Sequence, residues 1–71
     1  MEIKVLFAER LKYFRNEKGL TQKQLAINLN LPRQNIRDWE IGKSETCFEN
    51  LIILARYFDI TVDQLIGNSD I

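Results

Sequence analysis

The sequence predicts an all-α fold, a compact bundle of five short helices, and three observations carry that expectation. Apolar residues recur three and four apart in each patterned segment, as on one face of a helix. Three Thr-x-x-Gln/Glu patterns, at Thr21–Gln24, Thr46–Glu49 and Thr61–Gln64, read as helix-opening capping boxes. No segment carries a strand pattern, an internal repeat or low complexity. The 71 residues, 45% of them hydrophobic, suit one domain and argue against disorder. A single domain over 1–71 is expected, with its ordered core at about 6–67.

Residues 1–5 alternate weakly and are expected to form a loose lead-in. A helix follows over 6–18, where Phe7, Leu11 and Phe14 form an inward stripe and Glu9, Lys12 and Glu17 face solvent. Gly19 stands where the helix end needs positive φ, and Leu20 then drops into the core.

Two short helices joined by a tight turn come next, one over 22–28 and one over 32 to 39 or 40. Leu25, Ala26 and Leu29 give the first its apolar face, and the small Ala26 allows a close helix crossing. Asn30 sits in the turn and tolerates a left-handed backbone. Pro32 is placed in the first turn of the second helix, where its missing N–H costs nothing. Ile36 and Trp39 are that helix's buried face. Neither helix is long enough to stand alone. The pair must lean on a third element, which leaves its outer face free.

Gly42 ends the second helix and residues 43–45 form a short exposed loop. The Thr46 box is expected to open a helix over 47–58, with Phe48, Leu51, Leu54, Ala55 and Phe58 as its buried stripe. The Thr61 box opens a last short helix ending at Gly67, and residues 68–71 are an expected frayed tail.

The outer face of the second paired helix presents Arg33, Gln34, Arg37 and Asp38, with Asn35 on its flank. Arg and Gln are the side chains that read guanine and adenine edges bidentately, and a carboxylate can accept from cytosine N4. Asp38 is awkward beside phosphates, and it could instead clamp Arg33, Arg37 or Lys43.

At these residues the chain resembles the helix-turn-helix of Cro and phage-repressor (Xre) transcription regulators, a lambda-repressor-like DNA-binding domain. The likeness rests on Thr21-Gln22, Leu25-Ala26, Leu29, Arg33-Gln34, Ile36, Trp39-Glu40 and Gly42-Lys43. It continues into Leu51, Leu54-Ala55 and Leu65-Ile66-Gly67, and spans roughly residues 7–67. Single positions are unspecific; the ordered set is specific. Pro32 and Thr46 depart from it, since the family often has Ser or Thr at the first position and Pro at the second. The loss at Pro32 is one cap and one phosphate contact.

The resemblance implies sequence-specific binding of double-stranded DNA by a transcription regulator, a repressor of Cro-like type. Arg33, Gln34, Arg37 and Asp38 would read bases from the major groove, the N-terminal end of their helix entering first. Gln22 would bond a phosphate at the positive end of its helix. Asn35, Lys43 and Ser44 would touch phosphates at the far end of the second helix, which positions the protein without reading sequence. Arg15 and Glu40 resemble the family's ion pair between the first helix and the end of the recognition helix. A homodimer would read a palindromic operator with half-sites about one helical turn apart.

The net charge is zero, unusual for a DNA binder, but its distribution is lopsided. Residues 1–44 carry nine Lys and Arg against five Asp and Glu, and residues 45–71 carry one against five. The chain is therefore a dipole, +4 at one end and −4 at the other. Ile53 and Tyr57, four apart in the acidic part, could form an apolar patch and a dimer interface. That patch also supports a different reading, a protein-interaction module such as an antirepressor or antitoxin that binds another regulator or a toxin.

Catalysis is not expected. The sequence has no histidine and one cysteine, Cys47, so it offers neither a Cys/His metal cage nor an intrachain disulfide. No cofactor-binding loop and no nucleophile–base pair occur. The pairs Asp38/Glu40 and Asp59/Asp63 lack a metal-binding pattern. No apolar run approaches the roughly 20 residues of a membrane span. Residues 1–7 carry Glu2 and Lys4 and lead into no apolar leader core, so a cytoplasmic protein is expected.

Overall fold

The helices form because each has one thin apolar stripe that only its neighbours can cover. In the computed structural model, which describes residues 3–70, they are α1 (Ile3–Glu17), α2 (Gln22–Leu29), α3 (Arg33–Glu40), α4 (Phe48–Phe58) and α5 (Val62–Leu65). Among the described residues there is no strand. Met1, Glu2 and Ile71, the outermost residues of the expected lead-in and tail, lie outside the described residues.

Each helix sends one side chain to the centre. Leu11, Leu25, Ile36, Leu54 and Leu65, one from each of α1 to α5, are all fully buried. Phe7, Phe14, Trp39 and Phe58 close around them, Phe7 against Trp39 and Phe14 against Phe58 with ring centroids 6.1 and 5.9 Å apart. Tilted aromatic pairs of this kind add to what area burial contributes. The molecule measures 28 × 24 × 21 Å.

The turn between α2 and α3 follows the sequence closely. Thr21 accepts from the Gln24 backbone N–H at 3.1 Å, and the Gln24 side chain accepts from the Thr21 N–H at 2.9 Å. Asn30 caps α2 in the left-handed region at φ 56°. The Leu31 N–H then returns to the Ala26 carbonyl, which turns the chain into α3. Pro32 is the extended residue just before α3 rather than its first helical residue, and no side chain caps that end.

The structure corrects three other expectations. α1 begins at Ile3, not residue 6. Its first turn lies beside residues brought from afar: Ile3, Lys4 and Phe7 share a hollow with Glu45, Thr46, Leu51 and Ile66. The Thr46 capping box does not form. Cys47 is the N-cap of α4 without a side-chain hydrogen bond, and Thr46 Oγ1 is buried with no partner among the described residues. Phe48 is not in the buried stripe but is 83% exposed. It is the first residue of α4, where a side chain leans toward the helix N-terminus and off the turns that follow.

The C-terminal end is tied to α1. Arg10 donates to the carbonyls of Gln64 and Ser69 at 2.8 and 2.9 Å. Gly67, at φ 82°, passes so close that a Cβ there would lie 2.8 Å from Leu6 Cβ. Any side chain at that position meets both the strained backbone and α1.

Candidate nucleic-acid interface

α3 is oriented from beneath by one buried charge. Glu40, 4% exposed, ends the helix inside the molecule. Arg15 of α1 meets it with a two-pronged contact: Nε donates to Oε2 at 2.6 Å and Nη2 to Oε1 at 2.9 Å. The third arm of the guanidinium donates to the Leu20 carbonyl at 2.7 Å. Hydrogen bonding to Glu40 raises the Arg15 pKa, against the opposing pull of burial. Gln22, the first residue of α2, donates from Nε2 to Glu40 Oε1 at 3.2 Å. One carboxylate thus joins α1, α2 and α3, and its planar fit to the guanidinium sets direction as well as distance.

Above this anchor lies an open depression of about 450 Å³, lined by Gln22, Arg33, Gln34, Arg37 and Ile41. Arg33, Gln34 and Arg37 are exposed. The ion pair among the described residues joins Arg15 to Glu40, so the charges of Arg33 and Arg37 face the depression uncompensated. Asp38 is half-buried and lies outside the lining. Its side-chain partner is Gln34, whose Nε2 donates to Oδ1 at 2.8 Å, and not Arg33, Arg37 or Lys43. Asn35 and Ser44 are half-buried and Lys43 is exposed; none of the three lines the depression. The Lys43 N–H bonds the Asp38 carbonyl at 2.9 Å and so closes the end of α3.

The geometry is thus a short polar helix held at its C-terminal end by a buried ion pair, beside the N-terminus of a second helix. The helix-turn-helix family model HTH_3 matches residues 11–65, from the middle of α1 through α5. The chain belongs to the helix-turn-helix family of Cro/C1 (Xre) type.

Similar helix-turn-helix proteins carry regulatory names. The transcriptional activator BcrR of Enterococcus faecalis is 37% identical over 65 residues, 92% of this chain and 32% of its own length. The control protein C.SmaI of Serratia marcescens is 35% identical over 66 residues, 93% of this chain and 79% of its own. The crystal structure of the restriction-modification controller protein C.AhdI from Aeromonas hydrophila superposes with a TM-score of 0.79 at 34% identity, covering 87% of this chain and 94% of that one. The chain spans 32 to 58% of the length of the first curated relatives it matches.

One residue of this helix-turn-helix surface escaped sequence reasoning. Ile41, 62% exposed, lines the depression beside the two arginines. The signal was its spacing, four beyond Arg37 and eight beyond Arg33, which continues their face. The two residues expected to form an apolar patch on α4 differ in exposure. Tyr57 is half-buried, with its hydroxyl accepting from Asn28 Nδ2 at 2.8 Å and Lys18 Nζ 5.3 Å from its ring centroid. Ile53 is 41% exposed.

Proposed function

We propose that this chain is a transcription regulator that binds double-stranded DNA sequence-specifically, with the N-terminal end of α3 entering the major groove. The observation that carries the reading is the shared depression: Gln22, Arg33, Gln34 and Arg37 line one opening, and neither arginine has a salt bridge among the described residues. Arg33 and Gln34 open α3 and would reach base edges, with Arg37 one turn on. Gln22 keeps a second amide hydrogen beyond the one given to Glu40, and that hydrogen would go to a phosphate at the α2 N-terminus. Asn35, Lys43 and Ser44 would hold the backbone where α3 ends.

The active form we propose is a homodimer. One recognition helix covers too few base pairs to select a site within a genome, and a two-fold axis doubles the half-site. The exposed surface of α4 around Ile53 lies in the acidic part of the chain, which phosphate would repel. Repression is the simplest outcome, because a dimer covering its operator excludes other proteins without a further contact surface. The test is selection from random double-stranded DNA followed by an electrophoretic shift assay. The reading requires enrichment of a palindrome with half-sites about one helical turn apart. If no sequence is enriched, the reading is wrong. A protein-interaction module is the second reading, favoured by the 83% exposure of Phe48; it predicts capture of a protein partner and no DNA shift.

A further inference from the structure

We infer that Asp38 decides which base Gln34 reads, by fixing the orientation of its amide so that the pair selects adenine. The inference rests on the DNA-binding reading above and deepens it. Gln34 Nε2 donates to Asp38 Oδ1 at 2.8 Å, one turn along α3. An ionised carboxylate only accepts, so the amide must turn its nitrogen, not its oxygen, toward Asp38.

That orientation matters because a glutamine amide is ambivalent. With its NH2 group outward it offers donors to guanine, whose O6 and N7 both accept. With Oε1 and the neighbouring N–H outward it offers an acceptor and a donor side by side, the complement of adenine N6 and N7. For the pair to select adenine, Asp38 must take the N–H that points away from Oε1. What remains for DNA is the acceptor–donor edge. Guanine then meets Oε1 with its O6, two acceptors face to face, and an acceptor pair with no shared proton is penalised. Asp38 does not line the depression, so it acts through Gln34 as a positioning residue. This also gives a reason for a carboxylate on a helix meant to approach phosphate.

The experiment uses the intact chain. An operator is selected from random DNA, and the base pair read by Gln34 is the one whose preference vanishes in Q34A. All four bases are then compared at that position by binding titration. Wild type should prefer adenine over guanine by at least about tenfold, within what one bidentate pair supplies. In D38N the new amide can donate to Oε1, and the adenine-to-guanine ratio should fall below about threefold, with unchanged helicity by circular dichroism. D38E, still acceptor-only, should retain the preference. A guanine preference in wild type, or an unchanged ratio in D38N, overturns the inference while leaving DNA binding intact. Failure to enrich any operator overturns the DNA-binding reading, and this inference with it.

Discussion

Arg15 and Glu40 show how a single pair of residues ties α3 to the helix before the turn motif. Their side chains are 13% and 1% exposed, so removing either partner leaves a charge with little water to solvate it. Such a pair need not be worth much in net stability when whole, yet breaking it is expensive. Arg15→Ala is therefore expected to cost on the order of 3 kcal/mol, read as a lowered urea midpoint. Pairing raises the Arg15 pKa, so its contribution is complete below the ordinary arginine value and is lost only as pH rises through the raised one. The deficit of Arg15→Ala should accordingly stay constant from about pH 7 to about pH 9. A loss under about 1 kcal/mol would mean that water, not Arg15, solvates the carboxylate.

The elements divide into those legible in the sequence and those set by contacts from afar. The turn between α2 and α3 was legible because its signals are local: Thr21 bonds Gln24 three residues on, and Asn30 holds its own left-handed conformation. The same pattern at Thr46 failed. α4 starts one residue later than the box requires, and Thr46 Oγ1 is enclosed without a partner among the described residues. The early start of α1 and the exposure of Phe48 were also hidden, since both depend on where other helices end. The Arg33–Gln34–Arg37 face could be read from period alone, whereas the Gln34–Asp38 bond depended on which of several neighbours Asp38 would take. Two threonine substitutions separate the cases. Thr21→Ala removes a working cap and should cost about 1 kcal/mol. Thr46→Val keeps the shape and removes an unsatisfied hydroxyl, so the melting temperature should hold or rise. A loss at Thr46→Val as large as at Thr21→Ala would show that Oγ1 has a partner in solution.

At the scale of the molecule, five buried aliphatic side chains from five helices make one small core, and the surface is left to divide the charge. The basic part carries the depression; the acidic part carries the exposed Phe48, Ile52 and Ile53. Ile53→Glu should leave the monomer helical, because the side chain is already 41% exposed, but should place like charges across the proposed two-fold contact. Light scattering is expected to show monomers, with operator affinity lost; an unaltered dimer would exclude this face. Few basic groups surround α3, so log K should fall with log salt at a shallow slope, on the order of −4 to −7 for the dimer. A slope steeper than about −10 would require a basic surface elsewhere. The most direct test of the central claim, that α3 reads bases, is a titration of Arg33→Ala and Gln34→Ala on the selected operator and on scrambled DNA. Each variant should lose about 1–3 kcal/mol on the operator and relax one base position, with little change on scrambled DNA. Equal losses on both DNAs would contradict it, and would make these side chains phosphate contacts only.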